Sequence, residues 1–123
     1  MIFSPTSIEL YADCLKSAEL NRPLVDILRA LKGGYYIALV TTATRRNVER
    51  ILEHFSLTEL FDAVVTQEDV LRAKPDPFCY DMVIERFGVD RSRCIIFEDS
   101  ASGVAAALAS GCQTFCVRKG AVL

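Results

Sequence analysis

The sequence has no run of about 18 apolar residues, the length that a membrane-spanning helix requires. Its opening stretch, MIFSPTSIELYADC, also lacks the basic residues and the sustained apolar segment of a secretory signal. We therefore expect a cytoplasmic protein with no membrane partner.

The sequence also has no excess of basic residues. The 123 residues contain 14 Lys and Arg against 16 Asp and Glu, which gives a formal net charge of −2. Because nucleic-acid-binding surfaces are normally basic, we expect no nucleic-acid partner. Glycine and proline are scarce, at 6 and 4 residues, and 51% of the residues are hydrophobic, as in one ordinary globular domain.

Cysteine motifs for metal or redox chemistry are absent as well. The cysteines are five, an odd number, and they are scattered: Cys14, Cys79, Cys94, Cys112 and Cys116. No two of them form a C-x-x-C pair, and no second pair joins Cys112 and Cys116 to complete a zinc site. We interpret them as reduced and mostly buried apolar residues.

What the sequence does contain is an alternation of helical and strand-like segments. Short apolar runs predict strands over 35–40, 61–65, 94–97 and 114–117. Apolar residues at helical spacing predict a helix over 7–20, a second from Asn21 to Gly33, and one in each interval between the strands. Strands separated by helices imply βαβ units, so the predicted fold class is α/β with a parallel sheet.

Polar residues that could carry out chemistry lie at the ends of the predicted strands and just before a predicted helix. Thr41 and Thr42 directly follow the 35–40 run, and Glu98 and Asp99 directly follow the 94–97 run. Lys74 lies in a restrained K-P-D-P loop before a predicted helix. Because open α/β sheets bind ligands at the carboxyl ends of their strands, we expect these residues to share one edge.

Each of these residues has a functional and a plainer explanation. A hydroxyl beside free backbone N–H groups suits a phosphate oxygen, yet residues 41–44 can equally cap the following helix. Lys74 can neutralise an anion or be an ordinary surface lysine. Two adjacent carboxylates repel each other unless a cation shares them, and Mg²⁺ prefers oxygen ligands, but Asp99 and Ser100 can instead form a helix N-cap.

Taken together, T-T after one strand, K-P-D-P before a helix and F-E-D-S-A-S-G after another resemble the haloacid dehalogenase (HAD) superfamily. The greatest similarity is to its β-phosphoglucomutase and phosphoglycolate phosphatase-like subfamily, and it runs from about Asn21 to Val117. The resemblance implies a three-layer Rossmann-like core that transfers the phosphoryl group of a phosphorylated small molecule with Mg²⁺.

The resemblance also implies roles for individual residues. Thr41 matches the hydroxyl that binds the phosphoryl group, with the backbone amides of Thr42 and Ala43 beside it. Lys74 matches the catalytic lysine, which also contacts the phosphate and balances charge on the nucleophile. The metal ligands implied for Mg²⁺ are Asp99 and Glu98. In the D-S-x-x-G-x-x-A-A stretch over 99–107, Gly103 is expected to allow close packing of helix on sheet.

The first motif of the family is not found in these 123 residues. That motif is an apolar strand ending in D-x-D-G-T, whose aspartates are the nucleophile and the general acid/base, and no D-x-D is present. Residues 1–4 offer only a serine, followed by Pro5. In the family this strand is central, so we expect an incomplete core with its central first strand missing. Four repairs are open: pairing of the flanking strands, insertion of residues 1–4, strand exchange with another copy, or a partner chain.

The resemblance divides the chain into residues 1–20, a remnant of the cap helix or linker, and 21–123, a partial core. We expect a phosphatase or phosphomutase core fragment that is inactive alone and binds Mg²⁺ weakly or not at all. The alternative is a catalytically dead module that binds an anion or a protein partner. Three arginines near the strand ends, Arg45, Arg46 and Arg72, are better explained as solvated surface residues than as anion ligands.

Overall fold

The computed structural model describes residues 22–116 and the backbone of residues 2–4. Five strands are formed by these residues: β1 (Ile2–Ser4), β2 (Ala38–Val40), β3 (Ala63–Val65), β4 (Ile95–Glu98) and β5 (Gln113–Cys116). Four α-helices accompany them: α1 (Arg22–Leu31), α2 (Arg45–His54), α3 (Phe78–Phe87) and α4 (Ala101–Ala109). None of these helices has the length and apolar character needed to traverse a bilayer.

The strands form one parallel sheet in the order β3-β2-β1-β4-β5. Helices follow β2, β3 and β4 along the chain, as crossovers between parallel strands require. The predicted α/β class with a Rossmann-like parallel sheet is therefore confirmed.

The central position of the sheet is filled by β1, from the first residues of the chain. Ile2 is in register with Ala38 on one side and with Ile96 on the other, and Ser4 is in register with Glu98. Of the four repairs that the sequence left open, the structure shows insertion of the first segment of the chain, with Ile2–Ser4 as the inserted strand. The backbone groups of β2 and β4 that face the centre are thereby paired.

Helices cover both faces of the sheet and give three layers. Because side chains alternate along a strand, Ala38 and Val40 face one side while Ile37 and Leu39 face the other. Five buried residues of α1 and α2 belong to the Leu39 side: Leu24, Val25, Leu28, Val48 and Leu52. Those of α3 and α4 belong to the Val40 side: Cys79, Tyr80, Val83, Ile84, Ala106 and Ala107.

The chain before β2 is held by Asp62, just ahead of β3. Its Oδ2 accepts from the Ile37 amide at 2.8 Å, and its Oδ1 accepts from Lys32 Nζ at 3.1 Å. Burial alone would raise the pKa of Asp62, but the hydrogen bonds from Ile37 and Lys32 outweigh it and the pKa is lowered.

All four predicted strands need corrected boundaries. The strand predicted over 61–65 begins at Ala63, and the strand predicted over 114–117 begins at Gln113. The run predicted as a buried strand over 35–40 is a strand only from Ala38, because Tyr35 forms an isolated bridge with Lys32 and Tyr36 stacks on Phe87 at 4.7 Å. The strand predicted over 94–97 extends to Glu98, which is buried. The helix predicted over 7–20 and Asn21, the predicted first residue of the second helix, lie outside the described residues.

Candidate active site

The loop after β2 places Thr41 and its neighbours at the carboxyl edge of the sheet. Thr41 is buried, and its Oγ1 accepts a hydrogen bond from the Ala43 amide at 3.1 Å. The N-cap of α2 is Thr44, whose hydroxyl accepts from the Asn47 amide at 3.4 Å. Capping therefore uses Thr44 and leaves Thr41 and the exposed Thr42 to other interactions.

The K-P-D-P loop leads into α3 through its aspartate. Asp76 Oδ1 accepts from the Phe78 amide at 2.9 Å, which satisfies a donor at the start of the helix. The residues before Asp76 are thereby tied to the first turn of α3. As a result Lys74 is held by a short segment that is anchored at its far end.

Lys74 forms a buried ion pair with Glu98. Its Nζ lies 2.7 Å from Glu98 Oε2, and the two side chains are only 4% and 0% exposed. This contact brings the loop before α3 to the end of β4, across a separation of 24 residues. A surface lysine is thus ruled out, and the cation that pairs with Glu98 is the Lys74 ammonium.

Tyr80 supports this pair from α3, and the sequence reasoning missed it. The side chain is fully buried, its hydroxyl donates to Glu98 Oε2 at 2.5 Å, and its ring lies 5.3 Å from Lys74 Nζ. In the sequence Tyr80 is one more residue on the apolar side of a helix. The signal that could have found it is its hydroxyl, since a buried tyrosine normally requires a hydrogen-bond partner.

Gly103 in the first turn of α4 makes room for the Glu98 carboxyl group. A Cβ at residue 103 would overlap the side chain of Glu98. The close approach expected from the sequence is therefore an approach of helix backbone to a buried carboxylate.

Asp99 differs from Glu98 in its hydrogen bonding. Glu98 Oε1 accepts from the amide of Asp99 at 3.1 Å and from the amide of Ser100 at 3.4 Å. Asp99 Oδ1 is buried and has no hydrogen-bond partner among the described residues. The N-cap of α4 is Ser100, which accepts from the Gly103 amide at 3.0 Å, so Asp99 is not needed as a cap.

The pKa values of the two adjacent carboxyl groups are shifted in opposite directions. Burial alone would raise the pKa of Glu98, but the charge of Lys74 and hydrogen bonds from Lys74 and Tyr80 outweigh it, so the pKa is lowered. Burial raises the pKa of Asp99, and the negative charge of Glu98 raises it further. The pair therefore contains one firmly ionised acid and one whose charged form lacks a cation.

Divalent metal chemistry fits the free oxygen of Asp99. A buried carboxylate oxygen without a donor is the kind of hard ligand that Mg²⁺ takes. Both oxygens of Glu98 already accept hydrogen bonds. Across the described part of the chain, no group of three or more His, Cys, Asp or Glu side chains is placed to hold a metal ion.

Thr41 lies on the far side of β1 from this cluster. Since β2 and β4 flank β1, the ends of the two strands are separated by about 10 Å, twice the spacing of neighbouring strands. Between them β1 ends at Ser4, where the resemblance implies an acidic motif. The structure thus joins Lys74 to Glu98 directly and places Thr41, Thr42 and Ala43 at the same edge of the sheet, on the other side of β1.

Two of the arginines near this edge are engaged in ion pairs. Arg45 Nη2 lies 2.6 Å from Asp69 Oδ2, and Arg72 Nε lies 3.5 Å from Asp76 Oδ2. Arg46 is exposed. These positions support the interpretation of all three as surface residues.

Comparisons with known proteins agree with this geometry. A family model described as haloacid dehalogenase-like hydrolase matches residues 6–117. The fructose-1-phosphate phosphatase YqaB of Escherichia coli K12 is 35% identical over 96 residues, which cover 78% of this chain and 51% of that protein. The chain thus spans about half the length of this relative.

Solved structures match in the same way. A β-phosphoglucomutase-like protein from Thermotoga maritima aligns with a TM-score of 0.72 at 32% identity, covering 76% of this chain and 44% of that one. CbbY from Rhodobacter sphaeroides, solved in complex with phosphate, aligns with a TM-score of 0.78 at 26% identity, covering 86% and 50%. The sheet and the helices on its two faces are therefore shared with these proteins.

Proposed function

The chain belongs to the haloacid dehalogenase-like hydrolase family, and on that basis we propose that it forms the phosphate-binding and metal-binding part of a phosphoryl-transfer site. The observation that supports this most is the buried Lys74–Glu98 ion pair beside the unpartnered Asp99 Oδ1. A buried ion pair is weak evidence for stability alone, because its desolvation cost offsets much of its attraction. Its position at the carboxyl edge of a parallel sheet favours a functional explanation.

Phosphate binding is assigned to residues on both sides of β1. The Thr41 hydroxyl and the backbone amides of Thr42 and Ala43 supply donors from the end of β2. The Lys74 ammonium supplies positive charge from the other side. Since Glu98 and Tyr80 hold the side chain of Lys74, its charge is oriented before a phosphate arrives.

Mg²⁺ binding is assigned to Asp99, with Glu98 as a second ligand. When bound, the ion would neutralise the negative charge of a phosphoryl group. The free Oδ1 of Asp99 is the better placed oxygen, since both oxygens of Glu98 are already hydrogen-bonded. Because two carboxylates give few of the about six oxygen ligands that Mg²⁺ takes, we expect weak binding.

The nucleophile is the part that these 123 residues do not contain. A phosphoaspartyl mechanism needs a carboxylate nucleophile and an acid/base partner, and no D-x-D motif is present. The central strand that should present them ends at Ser4. We therefore propose that this chain binds rather than turns over a phosphorylated small molecule; the E. coli relative, a fructose-1-phosphate phosphatase, favours a phosphorylated carbohydrate.

A phosphatase assay tests the absence of turnover. The 123-residue chain is incubated with p-nitrophenyl phosphate and Mg²⁺, and no product above the buffer rate is expected. Product formation that disappears in both Lys74→Ala and Asp99→Ala would contradict the proposal. Product formation that persists in both variants identifies a contaminating phosphatase.

Titration calorimetry tests the metal site. We expect weak Mg²⁺ binding that Asp99→Asn removes and that Glu49→Gln, an exposed acid on α2, leaves unchanged. Tight binding that is lost in Asp99→Asn would overturn the claim that the ligand set is incomplete. Equal binding in both variants would overturn the assignment of Asp99.

The second candidate function is a catalytically dead module that binds an anion or a protein partner. The genomic sequence upstream of Met1 distinguishes the two candidate functions. A D-x-D-G-T segment there, in frame or frame-shifted, would favour the phosphoryl-transfer core. Pairing of β1 leaves β3 and β5 as the sheet edges open to another copy or a partner chain, and light scattering reports which state forms. We also propose a cytoplasmic location, which the odd number and the scattered positions of the five cysteines favour.

A further inference from the structure

Two of the buried cysteines occupy neighbouring positions at the amino ends of β4 and β5. Cys94 directly precedes Ile95, Cys112 directly precedes Gln113, and Ile95 is in register with Gln113. The register therefore places Cys94 opposite Cys112. Neighbouring strands lie about 4.8 Å apart, which is within the Cα separations that a disulfide spans, about 4.4–6.8 Å.

The two thiols lie on the same side of the sheet. Cys94 packs in the cluster that contains Ile96, two residues further along β4, and Cys112 packs in the same cluster beside Ala106 and Ala107. Side chains opposite each other in parallel strands point to the same face. Both cysteines are therefore directed into the layer between the sheet and α4.

Neighbouring groups show that the thiols are close enough to interact. Burial raises the pKa of Cys94, and the charge of the Cys112 thiolate raises it further, while the Cys94 thiol itself donates to the Asp90 carbonyl oxygen at 3.3 Å. The Arg91 guanidinium acts in the opposite direction on Cys94 and is anchored nearby by donating to the Ser110 carbonyl oxygen at 2.7 Å. The environment of the pair thus includes one cation that favours the thiolate.

An open cleft gives access to one of the two cysteines. Cys94 lines a half-open cleft of about 1070 Å³ together with Asp90, Ser92 and Arg93. Cys112 is not among the residues that line it and is also buried. A small molecule in the cleft would therefore meet Cys94 first.

We propose that Cys94 and Cys112 form a dithiol pair that a small-molecule disulfide, such as oxidised glutathione, converts into a disulfide joining β4 to β5. The Cys94 thiolate attacks one sulfur of the oxidant, and one glutathione leaves as the thiolate. Cys112, deprotonated, then attacks the Cys94 sulfur of the mixed disulfide, and the second glutathione leaves. Two protein thiols are oxidised and one disulfide is reduced to two thiols, so atoms and electrons balance.

The bond would fasten an edge strand next to the candidate active site. Among the described strands β5 pairs only with β4, and residues 94–112 include Glu98, Asp99 and the whole of α4. Closing this segment restricts the unfolded chain, so oxidation should raise the thermal midpoint, on the order of 5–10 °C. Because Cys94 is buried and its pKa is raised, we expect slow oxidation.

The test is disulfide mapping on the full 123-residue chain after incubation with oxidised glutathione. No Lys or Arg lies between residues 93 and 118, so trypsin leaves Cys94, Cys112 and Cys116 in one peptide. A second protease that cleaves after Glu98 separates Cys94 from the other two. Mass spectrometry without reductant then identifies the joined fragments.

We expect the folded chain to lose about two mass units, for two hydrogens, and to show fragments that join Cys94 to Cys112. Cys116→Ser should give the same link, and Cys112→Ala should not. In guanidinium chloride the preference should disappear, because the Cys112–Cys116 pair closes a much shorter loop in an unfolded chain. Dithiothreitol should restore the original mass and the original thermal midpoint.

Other products would overturn the proposal. Dimers or glutathione adducts confined to Cys116, with Cys94 and Cys112 still open to alkylation after unfolding, would show that the pair does not react. So would a folded chain in which no cysteine is oxidised. A Cys94-containing intramolecular disulfide of equal yield in Cys112→Ala would show that the partner is wrong.

Discussion

Replacing Lys74 by methionine tests the buried ion pair, because methionine keeps much of the side-chain volume and removes the charge. Glu98 is then left ionised, fully buried and without its cation. Removing one partner of a buried pair typically costs 3–5 kcal/mol, roughly a third of the stability of an ordinary domain. We therefore expect Lys74→Met to lower the free energy of unfolding by about 3–5 kcal/mol.

A second substitution separates the missing charge from other effects. Glu98→Gln keeps an acceptor for the Tyr80 hydroxyl but removes the carboxylate charge that Lys74 contacts. The double variant removes both charges and should recover much of the loss, which gives a coupling energy of about 2 kcal/mol or more. If the two single losses instead add to the double loss within about 0.5 kcal/mol, the pair does not interact as described.

The assay is urea unfolding followed by circular dichroism, since the sequence has no tryptophan. Equal slopes of unfolding free energy against urea are required before the variants are compared. The matched control is Lys32→Met, which removes the partner of Asp62 from an ion pair whose side chains are 36% and 31% exposed. A pair this exposed is worth about 0–1 kcal/mol, so a Lys32→Met loss as large as the Lys74→Met loss would refute the argument from burial.

Three further outcomes follow from the same contacts. Gly103→Ala should lower the free energy of unfolding in urea by about 1–3 kcal/mol because the added Cβ overlaps Glu98, although alanine is the better helix former. The control Ser102→Ala, at an exposed position of the same helix, should change it little. Stabilisation by Gly103→Ala would contradict the packing. Tyr80→Phe should lose about 1.5–3 kcal/mol with the hydrogen bond to a buried charge, and a neutral result would refute that bond. Asp62 has a lowered pKa, so its contribution to the free energy of unfolding is fully present above its unfolded pKa of about 3.9 and is lost as pH falls through the lower folded value. Asp62→Asn should therefore be less stable than the parent at pH 7 and equally stable in acid. A stability difference that stays constant across that pH range would contradict the linkage.

The layers of the fold could be predicted from the sequence because they depend on local periodicity. Apolar runs separated by amphipathic helices specify parallel strands, and α1 to α4 and β2 to β5 follow that pattern. The strand β1 could not be predicted as the centre of the sheet, because three residues are too few to show a period. Its position depends on pairing with β2 and β4, which lie far along the chain.

The site was predictable as a set of positions and not as a set of contacts. Strand ends identified Thr41 and the two carboxylates, but a threonine cap and a threonine ligand have the same local sequence. Only the structure shows that Thr44 caps α2 and Ser100 caps α4. The Lys74–Glu98 contact spans 24 residues, and no local pattern reports it.

The three charges at the end of β4 determine the order in which ligands should bind. Lys74 and Glu98 cancel each other across 2.7 Å, so Asp99 leaves the cluster with one net negative charge when it is ionised. A phosphate dianion is repelled by that charge, whereas a divalent cation is attracted and reverses its sign. Burial raises the pKa of Asp99 and the charge of Glu98 raises it further, because a proton neutralises the carboxylate when no cation does. Glu98 therefore fixes Lys74 in place but also cancels its charge, and Lys74 alone does not make this edge attractive to phosphate.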